Sequence, residues 1–328
     1  MRNLITDVAG VRVGHAHDAR LGSGVTAIIF DEPAVGGVDV RGGGPGTRET
    51  TLLDPAQTIS GIDAVVLSGG SAFGLDAASG VQAFLREQGR GFAVRGARIP
   101  IVPGAILFDL LNGGDKAWGR YPPYRELGYD AAGNASRDFA LGSVGAGHGA
   151  NTVNLKGGIG SASAGIDGVT VGALAAVNAS GSVTIGDGRY FWAAPFEQDK
   201  EFGGCGLPSA IPADALEPRI KGGAGANTTL VVVATDAVLT KAQANRLAVM
   251  AQTGLARAIY PVHTPLDGDV LFTAATGMKP LSDPLRALAQ LGAVAANVTA
   301  RAIARGVYEA TALPFADGLP SWNSKFGS

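Results

Sequence analysis

One cysteine, Cys205, is present in 328 residues, so neither an intrachain disulfide framework nor a cysteine-based zinc site can be built. Cys205 is flanked by glycines rather than by His or a basic residue, which leaves it a small hydrophobe, not an activated nucleophile. Charge is sparse too: charged residues make up 16% of the chain, the formal net charge is -2, and no basic run occurs. That removes the electrostatic footprint of a nucleic-acid binder. Aromatics, at 6%, are too few for base-stacking platforms. No apolar run approaches the roughly 18 residues of a membrane span, and the first residues lack an apolar signal core. The expectation is a cytoplasmic protein with no membrane or nucleic-acid partner.

What the chain has in excess is glycine. Its 50 glycines are about twice the usual share of roughly 7% and cluster between apolar runs, without a Gly-X-Y period. Such clusters mark tight turns and places where backbone approaches backbone or ligand. The length allows one large domain or two modest ones, and 46% hydrophobic residues suffice for a sizeable core.

Strands are expected at residues 24–30 and 63–67. After Ser68-Gly69-Gly70-Ser71, a helical pattern places Phe73, Ala77, Val81 and Phe84 on one face and closes near Gly89. Residues 99–102 read as a further strand, whereas periodicity leaves 105–111 unassigned. Residues 118–134 read as a long surface loop and 189–221 as a second excursion. A hairpin is expected from 169–177 and 183–185, turning near 178–181. The last third alternates regularly: a strand at 230–234, a helix at 241–258, a strand at 269–274, and a helix at 283–305 capped by Ser282 or Asp283. Strand-helix alternation indicates α/β layering.

Several motifs invite chemistry. Gly42-Gly43-Gly44-Pro45-Gly46-Thr47 lacks the Gly-Lys-Ser/Thr ending of a phosphate loop, and Gly145-Ala146-Gly147-His148-Gly149 is not Gly-x-Gly-x-x-Gly. His15 and His17 supply two imidazoles but no third ligand cluster, so a surface turn outweighs a metal site. Ser71 lies between strand and helix like a nucleophile elbow, with His148 or His263 as base, but Phe73 stands where the elbow needs glycine. Ser71 also reads as a helix N-cap, and that helix start as a place for a substrate carboxylate. Asp267-Gly268-Asp269 precedes an apolar strand and reads locally first as an Asp-Gly turn, or else as two neighbouring carboxylates that repel, raise each other's proton affinity and handle protons. Asn227-Thr228-Thr229 joins the glycine-rich, flexible-looking stretch 221–226 to the strand at 230–234. By itself the tripeptide reads first as the start of a strand, Asn suiting turns and Thr strands, but a hydroxyl there can also attack the preceding carbonyl and emerge as an N-terminal nucleophile carrying its own base.

Asn227-Thr228-Thr229 and His263-Thr264-Pro265-Leu266-Asp267-Gly268-Asp269-Val270-Leu271-Phe272 together resemble the DmpA-like peptidase family S58. That family holds the L-aminopeptidase/D-esterases, β-peptidyl aminopeptidases and nylon-oligomer hydrolases. Asp39-Val40-Arg41-Gly42-Gly43-Gly44-Pro45-Gly46-Thr47, Leu67-Ser68-Gly69-Gly70-Ser71-Ala72-Phe73-Gly74-Leu75, Pro100-Ile101-Val102-Pro103-Gly104, Lys156-Gly157-Gly158-Ile159-Gly160 and Val171-Gly172-Ala173-Leu174-Ala175-Ala176-Val177-Asn178 extend the likeness over nearly the whole chain. The Asn-Thr junction and Asp-Gly-Asp look more like the nylon-hydrolase branch than the Gly-Ser and Ser-Gly-Glu of the aminopeptidase branch. The resemblance implies a single-domain α/β protein, a four-layer α/β/β/α sandwich, that cuts itself into pieces 1–227 and 228–328.

It further implies Thr228 as nucleophile, Asp267 and Asp269 as orienting acids, Asn178 as oxyanion donor and Lys156 as a positive charge beside the amine. Phe108 stands where the family often has a tyrosine, so Tyr121, Tyr124 and Tyr129 become candidates for the missing hydroxyl. Phe108 and Ser71 are the expected substrate-side residues. Small peptides or amides are the implied substrates, with no cofactor and with homo-oligomers of four or more chains. The alternatives left open are a family-shaped oligomer that does not cleave, and a hydrolase built on Ser71.

Overall fold

One long strand serves two sheets, and the alternation of its side chains sets the order of the layers. The computed structural model describes residues 1–221, 227–316 and 318–327; the stretch 222–226, expected as part of a flexible loop, lies outside them. The strands are β1 (Val11–Asp18), β2 (Ser23–Val40), β3 (Thr47–Arg48), β4 (Ile62–Ser68), β5 (Phe92–Val94), β6 (Ala97–Ile99), β7 (Gly104–Ile106), β8 (Ile159–Ile166), β9 (Val169–Asn178), β10 (Thr228–Ala237) and β11 (Val270–Lys279). The helices are α1 (Ala77–Glu87), α2 (Tyr124–Gly133), α3 (Lys241–Ala251), α4 (Thr253–Ala258), α5 (Pro284–Tyr308) and α6 (Trp322–Phe326).

The first part of β2 pairs antiparallel with β1 and β4, and its end, from Val35 to Val40, pairs antiparallel with β11. The first layer therefore runs β1-β2-β4-β7-β3 and the second β2-β11-β10-β9-β8. Along β2, Val25, Ala27 and Ile29 face α1 and α2, packing with Val81, Leu85, Tyr124 and Ala131. The intervening Ile28 and Phe30 point the other way, to Leu174, Leu230, Val232, Val270 and Phe272 of the second sheet. On that sheet's far face, Val171, Ala173, Val231, Val233 and Leu271 meet Leu247, Leu255, Leu291, Val298 and Ile303 of α3, α4 and α5. Three cores separate four layers, helices-sheet-sheet-helices, the α/β/β/α sandwich expected from the sequence. Helix α5 is long and apolar enough to cross a membrane by composition, but 67% of its most apolar window is buried inside this fold.

Several local expectations are corrected. The loop expected at 118–134 holds α2, whose buried face is Tyr124, Gly128, Ala131 and Ala132, a helical spacing built of small residues that a hydrophobic count passes over. The expected partner of β9 at 183–185 is no strand. It makes only an isolated bridge from Thr184 to Phe191, and β9 pairs instead with β8 and β10. Phe73 lies exposed in a 3-10 turn ahead of α1 rather than on its buried face. Ile99 ends an exposed two-stranded hairpin, and the buried strand starts at Gly104. The expected helix at 241–258 is two helices meeting at Gln252. At α5 the cap is Asp283, whose side chain accepts from the Arg286 N–H.

Helices α1 and α2 cross where each presents a glycine. A Cβ on Gly80 would lie 1.9 Å from the Arg125 carbonyl oxygen, and one on Gly128 would lie 2.1 Å from that of Ala77. Backbone cannot yield as a side-chain end can, so Gly80→Val is expected to lower stability by about 1–3 kcal/mol, read as a reduced urea midpoint with an unchanged slope.

Candidate active site

Strand direction brings three chain segments to one edge of the second sheet. β10 and β11 are parallel and joined through α3 and α4, so both begin at the same edge; β9 is antiparallel to β10 and ends there. In this register Thr228 lies opposite Asn178, and Asn227 bridges to Asp267. Thus Asn178, Asn227, Thr228, Asp267 and Asp269, scattered over some ninety positions, are brought together, each at most 4% exposed.

The Thr228 hydroxyl donates to the carbonyl oxygen of Asn227, the residue before it. The same carbonyl accepts the Gly268 N–H at 2.9 Å. A Cβ on Gly268 would come within 2.6 Å of Thr228 Oγ1, so the residue between the two aspartates must be glycine for the hydroxyl to fit. The buried side chain of Asn227 has no hydrogen-bond partner for Nδ2 or Oδ1 among the described residues.

Each aspartate is held by a different set of donors. Asp267 accepts from the N–H and hydroxyl of Ser180 (3.2 and 2.7 Å) and from the N–H and hydroxyl of Thr264 (2.9 and 2.8 Å). Asp269 accepts from the Thr229 N–H at 2.7 Å and from Nδ1 and the N–H of His263 at 2.8 and 3.2 Å. Burial raises the Asp269 carboxyl above its usual range; the His263 bond opposes this and the Asp267 charge adds to it. Arg41 and Gly42 N–H groups bind the Asp269 carbonyl, and Gly44 N–H binds that of Asp267 at 2.8 Å. The glycine-rich segment after β2 is therefore a backbone brace for the aspartates.

Beside these residues a cavity of about 170 Å³ is lined by Phe108, Asp109, Leu111, Asn151, Asn178 and Lys221, among others. Asn178 Oδ1 accepts from the Asn151 N–H at 2.9 Å and from Lys221 Nζ at 3.1 Å, while its Nδ2 donates to the Phe108 carbonyl at 3.0 Å. Lys156 is fully buried and gives its ammonium to the carbonyls of Gly147, Ala150 and Gly157, at 3.1, 2.7 and 2.7 Å. Burial pulls its pKa down to about 7; the nearby Asp109 pulls the other way and Lys221 adds to the fall. Its anionic partner is Asp109 rather than the Asp267–Asp269 pair. Asp109 is itself raised by burial, and bonds Ser23 and the Gly70 N–H. Lys221 is likewise lowered by burial to about 7, against the pull of Asp267 and Asp109.

Ser71 does not line this cavity, although its N–H donates to the Leu107 carbonyl beside Phe108. Its backbone φ is +52°, as at a strained elbow, but the position capping the turn is Gly70, and neither carries a side-chain cap bond. Neither histidine serves it: His148 stacks on His17 with centroids 4.4 Å apart, and His263 is on Asp269. Tyr124 bonds Ser23, Tyr129 bonds Glu87 and Tyr121 is exposed; none lines the cavity. Sequence reasoning missed Lys221, Asp109, Ser180 and Thr264. For Asp109 a signal existed, a lone carboxylate inside an apolar run.

A family model for Peptidase family S58 matches residues 3–320. An uncharacterized aminopeptidase of Mycobacterium tuberculosis (strain ATCC 25618 / H37Rv) is 44% identical over 346 residues, covering 99% of this chain and 98% of its own. A 6-aminohexanoate-oligomer endohydrolase of Kocuria sp. (strain KY2) is 27% identical over 290 residues, covering 82% of this chain and 74% of its own. In three dimensions, the β-aminopeptidase of Burkholderia sp. aligns with a TM-score of 0.72 over 100% of this chain and 92% of that one, at 23% identity, a likeness of fold. With a match from end to end, the chain belongs to peptidase family S58 and is a hydrolase of amide bonds.

Proposed function

We propose that this chain activates itself by cutting the Asn227–Thr228 bond and then hydrolyses small amides with Thr228 as an N-terminal nucleophile. The observation that carries the reading is the Thr228 hydroxyl, buried and directed at the carbonyl of the residue before it, between Asn178 and the two aspartates. In the first step Oγ1 gives its proton to the aspartate pair and attacks the Asn227 carbonyl carbon. The C–N bond breaks, the nitrogen takes a proton, and an ester joins Asn227 to Oγ1. Water hydrolyses that ester, leaving a carboxylate on Asn227 and a free amine and hydroxyl on Thr228.

In turnover the freed amine is the base. Its intrinsic pKa of about 7.7–8.0 suits neutral pH. It takes the Oγ1 proton as oxygen attacks the substrate carbonyl, and returns a proton to the leaving nitrogen. The acyl ester is then hydrolysed by water. Asp267 and Asp269 orient the amine, and the Asn178 amide stabilises the oxyanion, a contribution worth about 3–4 kcal/mol elsewhere. Lys156 acts through Asp109 and the carbonyls it gathers, not by contact with the amine. A cavity of about 170 Å³ admits a small acyl or amine group. Release of amino-terminal residues or cleavage of short oligoamides fits that size, and agrees with what the relatives' names state of those proteins.

Three outcomes are expected. By denaturing mass spectrometry the wild type yields pieces 1–227 and 228–328, whereas Thr228→Ala stays whole and loses turnover of p-nitroanilides by at least about 10³-fold; an intact wild type that stays intact under all conditions sinks the reading. Ser71→Ala is expected to be cut and active within about twofold, and loss of activity with normal cutting would move the chemistry to Ser71. In the uncut Thr228→Ala background, Lys156 is near pKa 7 folded against 10.5 unfolded. The unfolded chain then binds more protons in that window, so stability rises with pH from about 7 towards 10. Lys156→Met should flatten this rise, read from urea titrations across pH, whatever it does to stability at pH 7.

A further inference from the structure

Two lysines lie beside this site, Lys156 buried and Lys221 partly buried, and their hydrogen bonds distinguish them. Lys156 has spent all three N–H groups on the carbonyls of Gly147, Ala150 and Gly157, so no donor is left to offer a ligand. Lys221 has spent two, on the Asn151 carbonyl at 2.9 Å and Asn178 Oδ1 at 3.1 Å, and its side chain lines the cavity. The third donor of Lys221 is unengaged among the described residues. Its position is central rather than remote, because Asn178 lies directly opposite Thr228 in the sheet register. The Asp267 charge also acts on Lys221 directly.

We infer that Lys221 is a catalytic residue: its remaining N–H donates to the carbonyl oxygen of the substrate as that oxygen gains charge, beside the Asn178 amide. This rests on the Thr228 mechanism proposed above. A charged donor aimed at the oxygen strengthens most when that oxygen becomes anionic, so the effect falls on the chemical step rather than on binding. Lys221 also holds Asn178 Oδ1, which fixes the amide with its nitrogen end turned away from the lysine. Asp109 and Asp267 favour the charged form of Lys221, and Lys156 opposes it.

The test uses purified, fully cut protein, checked by mass spectrometry, with Lys221→Met, Lys221→Gln and Lys221→Arg compared on two substrates sharing an acyl residue. One is an amino-acyl p-nitroanilide and the other a dipeptide with a free carboxylate. The expected result is a kcat lower by about 10²–10³ for Met and Gln on both substrates, KM changed less than about threefold, and at least tenfold recovery in Arg. Unchanged kcat overturns the inference. So does a loss confined to KM of the dipeptide, which makes Lys221 an anchor for the substrate carboxylate. If Lys221→Met does not fold, as judged by its urea transition, the Gln and Arg variants decide alone. Failure of the Thr228 mechanism shows separately, as an uncut wild-type chain.

Discussion

The pairing of β10 with β9 on one side and β11 on the other is the constraint on which the site depends. Parallel neighbours begin at the same edge of a sheet, and an antiparallel neighbour ends there, so these three strands deliver Thr228, Asp269 and Asn178 to one place without any long loop to position them. Over the paired stretch next to the site these strands are buried between two cores, which resists slippage. A one-residue shift would turn Val231 and Val233 away from the outer helices and Leu230 and Val232 away from the inner sheet. The hydrophobic pattern that stabilises the sheet therefore also fixes Thr228 against Asn178 and Asp269, to the register of a single residue.

Onto that apolar frame the fold places four buried ionisable groups, Asp109, Asp267, Asp269 and Lys156, and the partly buried Lys221. In water such groups keep their ordinary charge; here burial pushes Asp109 and Asp269 up and Lys156 and Lys221 down, towards each other. Hydrogen bonds hold the polar groups of the site in place. Asp267 takes four donors from Ser180 and Thr264, and Lys156 gives three N–H groups to carbonyls. Lys156 and Lys221, both brought down to about 7, are thereby able to exchange protons near neutral pH beside the cavity.

How much of this could be read beforehand follows the same division. The strands at 24–30, 63–67, 230–234 and 269–274 were legible because they are apolar runs bounded by turn residues, and the neighbouring of the last two follows from the helical crossover between them. The two-sheet layering came only by resemblance, since nothing local says that residues 23–40 are one strand crossing between sheets. Helix α2 was hidden because, apart from Tyr124, its packing face is glycine and alanine. Strand β8 was hidden likewise: Ile159–Ile166 is rich in Gly, Ala and Ser and is recognisable only by what pairs with it. At the site, the residues carried by motifs were the ones named. Lys221 was not, because its role comes from a contact with a side chain 43 positions away.

The glycine excess and the poverty of charge noted at the outset are two sides of one solution. A site that holds several charges out of water needs backbone N–H and C=O groups as its solvent, and backbone can approach that closely only where side chains are absent. Gly42, Gly43 and Gly44 let the chain lie against 264–269 and bind its carbonyls; a Cβ on Gly42 would sit 2.3 Å from the Asp269 nitrogen. Gly268 leaves the volume that the Thr228 hydroxyl occupies. Gly147 and Gly157 offer carbonyls to Lys156, and a Cβ on Gly157 would lie 1.9 Å from the Val177 carbonyl oxygen, one residue before Asn178. Replacing this backbone solvation with side-chain ion pairs would put more charge into the interior, each needing its own partner. A chain that solvates its buried charged groups with main chain can instead keep its formal charges few.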